Sequence, residues 1–222
     1  MAENMLDASN VGIAKGREGG YACVAPAGTD PTKFIDMKKT LADLCKEPSA
    51  VLKSLGYISE DGVTVTTDTD TDDKTDWSGV TIVSPMTSYS EGVEVTFLEA
   101  RDTVLKTVYG DANVTTDGKG TTTVRHNKNF TGAHLFIFDA VVSDTKVKRI
   151  VIPNGVITER DDQEMNNSDL AGYTPTIKCL PSDFFDGDCM REYIYDTTTV
   201  AAEAATTAFR MEGGNGGFGS RR

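Results

Sequence analysis

Three aspartates at alternate positions have the spacing in this sequence that comes closest to a metal site. Asp68, Asp70 and Asp72 match positions 1, 3 and 5 of an EF-hand calcium loop. The pattern then fails, because Asp73 stands where the loop needs glycine and Gly79 stands where it needs a bidentate glutamate. We therefore predict a solvated acidic segment in which alternate aspartates line one exposed face, with weak cation binding as the alternative.

The other reactive side chains do not fall into a catalytic or metal-binding pattern. His126 and His134 have no acidic or cysteine neighbour at a ligand spacing, and the four cysteines include no C-x-x-C pair. We expect buried cytoplasmic thiols, with a bridge between Cys179 and Cys189 across a hairpin as the alternative. The serine-nucleophile and phosphate-binding glycine motifs are also missing from the sequence. The sequence therefore predicts a protein that is not an enzyme and uses no metal or cofactor.

The charge balance restricts the partners of the chain. Its 34 acidic and 22 basic residues give a net charge of −12 at pH 7. Proteins that hold nucleic-acid phosphates present clustered lysine and arginine, whereas an acidic surface repels DNA. The sequence also contains no apolar stretch long enough to cross a membrane and no secretion signal, so we expect a cytoplasmic protein without a membrane partner.

Alternation of apolar and polar residues predicts that most of the chain forms β-strands. The clearest case is Val63 and Val65, which alternate with threonines. The longest apolar runs flank a turn at 143–145, so this hairpin is expected at the centre of a sheet. The last two strands are expected to pair around the turn residues Asp186 and Gly187. The predicted strands are 63–66, 80–83, 91–98, 121–124, 134–142, 146–152, 174–180 and 190–195.

Helical spacing occurs in two places. A first helix-like segment begins near Leu41, is interrupted by Pro48 and resumes over 51–55. A second helix is predicted over 101–109, with Gly110 as its C-terminal cap.

A single folded domain is the simplest organisation for this chain. Residues 21–196 are predicted to form the β domain, with a long acidic loop over 66–77. Residues 1–20 are predicted to be a flexible N-terminal arm, and the Ala-, Thr- and Gly-rich residues 197–222 a flexible C-terminal tail.

Four short segments, found in one consistent order, carry a resemblance to a known family. They are 55–63 (LGYISEDGV), 76–79 (DWSG), 95–110 (a strand, a glutamate, a short helix and VYG) and 150–155 (IVIPNG). Over residues 20–196 the chain resembles the major tail tube proteins of long-tailed, siphovirus-type bacteriophages. The ending after residue 197 departs from the family pattern, and we expect no immunoglobulin-like C-terminal domain.

This resemblance implies a fold, a function and a set of partners. The fold would be mainly β, a β-sandwich or barrel-like domain with one short flanking helix. Six copies would form a ring, and rings would stack into the tail tube through which genome DNA is ejected without specific binding. The tape measure protein and the tail terminator and distal tail proteins would be partners. The protein would be assembled in the host cytoplasm and remain in the virion tail.

Physical reasoning adds a hypothesis about the contacts between rings. We predict that Asp68, Asp70, Asp72 and Trp77 make ring-stacking contacts, and that 66–77 becomes ordered only in the tube. For Trp77 the alternative is core packing beneath the loop. Two other functions stay open: another ring protein, such as a contractile-tail tube or a tail terminator, and a non-enzymatic carbohydrate-binding β-sandwich.

Overall fold

The computed structural model describes residues 11–47, 50–130, 132–163 and 165–198, and within them the chain is mainly β. This confirms the predicted fold class. The strands are β1 (Lys15–Gly16), β2 (Ala22–Pro26), β3 (Lys53–Ser54), β4 (Ile58–Thr71), β5 (Lys74–Thr75), β6 (Thr81–Val83), β7 (Met86–Phe97), β8 (Val114–Thr116), β9 (Thr122–Val124), β10 (Ala133–Ser143), β11 (Lys146–Arg160), β12 (Pro175–Cys179) and β13 (Arg191–Asp196). The helices are α1 (Leu41–Lys46) and α2 (Asp102–Tyr109).

The main sheet is antiparallel, with the order β3-β2-β10-β11-β12-β7-β4. The β10–β11 hairpin lies at its centre, as predicted from its apolar runs. Its position follows from composition, because the middle of each strand is an apolar run that is buried on both faces.

The long strand β11 divides its partners between its two halves. Lys146 to Val151 pair with β13, whereas Gly155 to Arg160 pair with β12. The prediction that the last two strands pair with each other is therefore wrong. The turn at Asp186 and Gly187 does form, and both residues have positive φ angles of 57° and 95°. This turn leads the chain from β12, which pairs with one half of β11, to β13, which pairs with the other half.

Two hydrophobic cores lie on opposite faces of the central strands. Phe136 and Phe138 point into one core with α2, while Leu135 and Ile137 point into the other with α1. Successive side chains of a strand alternate between faces, so β10 contributes to both. The first core also collects residues from β2 and β7, which stand far apart in the strand order. The sheet therefore curves around this core like part of a barrel.

The two helices differ in how closely they follow their predictions. Helix α2 ends at Gly110, whose φ of 87° suits glycine and whose N–H donates to the carbonyl of Lys106 at 2.8 Å. Helix α1 begins with a capping box formed by Thr40 and Asp43. Its predicted resumption over 51–55 is wrong, because this segment instead forms β3 and pairs with β2. The backbone hydrogen bonds of β3 are therefore made to β2 at the edge of the sheet and not within a helix.

The described part of the N-terminal arm lies against the sheet. Strand β1 pairs with β10, placing Lys15 opposite Val141. Arg17 donates to the carboxylate of Asp139 at 3.1 Å and to the carbonyl of Met37 at 3.0 Å. Residues 1–10 and 199–222, where most of the two predicted arms fall, lie outside the described residues.

A fully buried ion pair joins the centre of the sheet to the segment before α1. Arg149 donates to both carboxylate oxygens of Asp139, each at 2.6 Å. Its remaining N–H groups donate to the carbonyls of Phe34, Asp36 and Lys39 at 2.6, 3.1 and 2.9 Å. All five guanidinium donors thus have acceptors, which a buried arginine requires. The arrangement fixes the connection 34–39 onto the sheet.

Candidate assembly surface

Strands β4 and β7 form a hairpin that extends beyond the rest of the sheet. Strand β12 pairs with β7 only from Glu91 to Glu94. Farther out, in the part of the chain that the structure describes, β7 has β4 as its only strand partner. We call residues 68–90 the projecting hairpin; β5 and β6 form its outer end. This surface stands clear of both cores.

The predicted loop over 66–77 is shorter in the structure, because β4 continues through the Asp-Thr repeat to Thr71. Threonine is β-branched and favours extended backbone, and the aspartates between the threonines face water. The strand therefore continues although its apolar residues have ended.

Apolar side chains are exposed along the outer and returning part of the projecting hairpin. Trp77 is 104% exposed, so the alternative of core packing beneath the loop is wrong for the single chain. Clustered exposed apolar residues mark an interaction surface. We call the following set, each more than half exposed, the apolar ridge: Trp77, Val80, Ile82, Val83, Met86 and Tyr89.

Asp68 and Asp70 share one face of the projecting hairpin, as the alternate spacing predicts. Asp68 lies opposite Ser90, and Asp70 lies opposite Ser88, whose hydroxyl donates to its carboxylate at 2.8 Å. Tyr89 falls between these serines and so points to the other face. The inner part of the hairpin consequently has an acidic, hydroxyl-rich face and an opposite face that carries Tyr89.

The next aspartates are held by separate partners. Asp72 forms an ion pair with Lys74, and the hydroxyl of Ser84 donates to the carboxylate of Asp73. Among the residues that the structure describes, no three His, Cys, Asp or Glu side chains converge as ligands for a metal ion. The EF-hand-like spacing thus belongs to a strand and a turn in this structure and not to a loop that wraps around an ion.

The turn that presents Trp77 is organised by Asp76. Its carboxylate accepts hydrogen bonds from the Ser78 hydroxyl at 2.6 Å, from the Ser78 N–H at 2.8 Å and from the Val80 N–H at 2.9 Å. The Ser78 hydroxyl is the main reason that the pKa of Asp76 is lowered, followed by the Val80 N–H. A lowered pKa means that folding favours the ionised carboxylate. The turn is therefore stabilised above the usual carboxyl range and loses this contribution as the pH falls through the lowered pKa.

The histidines and cysteines are placed singly or in pairs. The His126 ring packs against Tyr109, with 4.8 Å between ring centroids, while His134 approaches the carbonyl of Gly132 at 3.2 Å. All four cysteines are free thiols. Cys179 and Cys189 line one shallow groove, and burial raises the pKa of Cys179 to about 12.

The outer edge of β4 is a second surface available for assembly. No strand in the described ranges pairs with this edge, which spans Ile58–Thr71. An open edge of this length is a template for pairing with another chain. This edge is therefore available for pairing with another copy of the chain.

Comparison with known families identifies the kind of assembly. The phage tail tube protein family matches residues 9–205, which include the projecting hairpin and the whole main sheet. The chain belongs to this family. This confirms the resemblance predicted from the four short segments, and it makes the chain a structural component of a bacteriophage tail tube. A structural family of this kind points to a non-enzymatic protein. No curated protein matches the chain.

The helices of this tail tube protein are short. None in the described residues has the length and apolar content needed to span a membrane.

The sequence prediction included Trp77 but missed most of the apolar ridge. Ile82, Met86 and Tyr89 lie where the sequence gives only a short strand and a turn. One signal was available, since 77–90 contains no charged residue in an otherwise highly charged chain. That absence is unusual for a solvated strand and is typical of a surface that becomes covered.

Proposed function

We propose that six copies of this tail tube protein form a ring, and that rings stack into the tube through which phage DNA is ejected. The projecting hairpin supports this proposal most directly. It contributes little to either core, yet it presents a fully exposed tryptophan and five further apolar side chains that are more than half exposed. Such a surface is costly to leave in water and is accounted for if another ring covers it.

The apolar ridge would supply most of the stacking energy. Burying one large apolar side chain contributes roughly 1.5–3 kcal/mol, and each ring would repeat the contact in every subunit. Trp77 is the strongest candidate for a hot spot, because tryptophans in covered pockets dominate many interfaces.

The proposed role of Asp68, Asp70 and Asp72 is to orient the stacking contact. Exposed like charges on neighbouring hairpins repel each other, and complementary charges on the next ring attract them. Such charges affect specificity and association rate more than affinity.

Pairing around the ring would use the open edge of β4. Each subunit in a closed ring offers one edge to a neighbour, so a ring removes the exposed edge that a monomer retains. A closed ring also explains why this edge carries no bulky blocking element in the described chain.

The proposal extends to what passes through the tube and what caps it. The net charge of −12 favours a bore that repels DNA and keeps it moving. The tape measure protein inside the tube, and the terminator and distal tail proteins at its ends, are the proposed partners. The proposed place of assembly is the host cytoplasm, and the proposed tail is of the siphovirus type.

Negative-stain electron microscopy of concentrated purified protein tests the proposal. We expect long filaments of constant bore, with six-fold symmetry in end views of single rings. Isolated rings at every concentration would instead indicate a terminator-like protein. Particles without rotational symmetry would contradict the ring proposal itself.

Trypsin provides a second test, because Lys74 is the only lysine or arginine between Lys53 and Arg101. Its side chain is 61% exposed in the single chain. We expect cleavage after Lys74 in the monomer, where β5 and β6 pair only with each other, and cleavage at least about tenfold slower in assembled tubes, where the hairpin is covered. Mass spectrometry of the fragments over time measures both rates.

Two controls make this test specific to the projecting hairpin. Lys74→Gln should remove the cleavage and so identify the fragment. Lys119, in the tight turn between β8 and β9, reports general access of the protease. Equal rates of cleavage after Lys74 in monomer and tube would contradict the proposal that this segment makes the contact between rings.

A further inference from the structure

Two thiols meet where α1 packs on the sheet. Cys23 lies in β2 and is buried, while Cys45 lies in α1 and is partly exposed. Their sulfur atoms are 3.5 Å apart. A disulfide bond has a length of about 2.05 Å, so the two sulfurs need to approach by only about 1.5 Å. Rotation of the side chains is the smallest movement that brings them together.

We infer that Cys23 and Cys45 form a reversible disulfide when this protein meets an oxidising medium. The corresponding sulfur–sulfur contact is absent between Cys179 and Cys189 in the described chain, so the structure favours a different pair from the one that the hairpin spacing suggests. This inference rests on the geometry of one subunit and does not depend on ring size or stacking.

The two thiols differ in acidity and in exposure, and this difference sets the order in which they react. The hydrogen bond from Cys23 lowers the pKa of the Cys45 thiol, whereas the same contact and burial raise the pKa of Cys23. Thiolates are the attacking species, and access to the oxidant decides which one reacts. Cys45 is therefore the first thiol to react, and Cys23 is the one that resolves the intermediate.

Oxidation by a small-molecule disulfide such as oxidised glutathione balances in two exchanges. The Cys45 thiolate attacks one glutathione sulfur, forming a mixed disulfide and releasing one glutathione thiolate. Cys23 then gives up its proton and attacks the Cys45 sulfur, which releases the second glutathione thiolate. Both protein thiols are oxidised, and one oxidised glutathione becomes two reduced molecules.

The bond would link β2 to α1 covalently and so hold the segment before α1 against the sheet. The closed loop contains the connection 34–39, whose carbonyls already accept hydrogen bonds from Arg149. Closing a loop of this size restricts the unfolded chain and so stabilises the folded one. A tail component passes from the reducing cytoplasm to the outside when the host lyses, and the bond would form at that stage.

The test uses the full unassembled chain in buffers with rising ratios of oxidised to reduced glutathione. We expect a peptide pair linked through Cys23 and Cys45 in non-reducing mass spectrometry, while Cys179 and Cys189 stay open to alkylation after unfolding. The Tm should rise by roughly 5–10 °C on oxidation and return after reduction with dithiothreitol.

Matched variants separate this bond from general oxidation. Cys45→Ser should abolish the Tm shift, whereas a Cys179→Ser and Cys189→Ser double variant should retain it. Four free thiols at every glutathione ratio would overturn the inference. A Cys179–Cys189 link, or glutathione that stays attached to Cys45 without the internal bond, would also overturn it. Because no tube is needed, failure here leaves the proposed ring function untouched.

Discussion

Replacing Trp77 with alanine is expected to leave the subunit folded and to raise the critical concentration for tube assembly by roughly 30-fold. The side chain is 104% exposed, so its removal takes nothing from either core. A hot-spot residue contributes about 2 kcal/mol or more to a contact, which corresponds to that change in an equilibrium constant. Sedimentation over a concentration series measures the assembly, and urea unfolding measures the stability.

Leu170 supplies the matched control for Trp77. It is also highly exposed, at 79%, but lies outside the projecting hairpin. Leu170→Ala should assemble like the original chain. Trp77 is also the single tryptophan, so its fluorescence should shift to shorter wavelength when rings stack. A folded Trp77→Ala protein that polymerises at the original concentration would exclude Trp77 as an anchor.

The largest effect on folding is expected from Asp139→Asn. This change removes the charge that compensates the guanidinium of Arg149, which is completely buried. Breaking a buried ion pair from one side typically costs about 3–5 kcal/mol, because the remaining charge is left without compensation. Arg17 also loses its carboxylate partner, which should loosen the described part of the N-terminal arm. Urea unfolding measures the loss in the free energy of unfolding.

Asp102→Asn is the control for this substitution. It makes the same chemical change in the exposed pair between Asp102 and Lys106, one helical turn apart on α2. Exposed pairs of this kind contribute little to stability, because water and salt screen the two charges. If Asp139→Asn and Asp102→Asn unfolded at similar urea concentrations, the buried pair would not have the stabilising role that its geometry indicates.

The apolar periodicity of the sequence predicted the elements that bury side chains. The central hairpin and α2 appear where predicted, because each places a regular apolar stripe against a core. The outer part of β4 was predicted as a loop because its Asp-Thr repeat has no apolar residue to mark a strand. Backbone hydrogen bonds to β7 maintain the strand there, and such pairing cannot be recognised from the amino-acid composition of the segment.

The buried ion pair was missed for a different reason. Asp139 and Arg149 lie within the predicted strands 134–142 and 146–152, and the pairing of these strands places them directly opposite each other. The predicted turn is centred on Asp144, and counting outward from it sets these two residues in register. Strand register was thus the available signal. The pairing of β13 had no comparable signal in the sequence. Nothing in the local pattern shows that β12 and β13 pair with different halves of β11 and not with each other.

The strand order of the main sheet also bears on how fast the chain folds. Strand β2 pairs with β10, so Ala22 meets Phe138 only after more than a hundred intervening residues have been synthesised. Distant pairings of this kind slow folding, whereas a hairpin such as β4–β7 closes within its own segment. The apolar ridge can therefore be complete before the body of the subunit is. Newly made chains then expose the apolar ridge before the main sheet has formed. Because exposed apolar surface promotes aggregation, the rate of synthesis and the presence of chaperones affect the yield of tails.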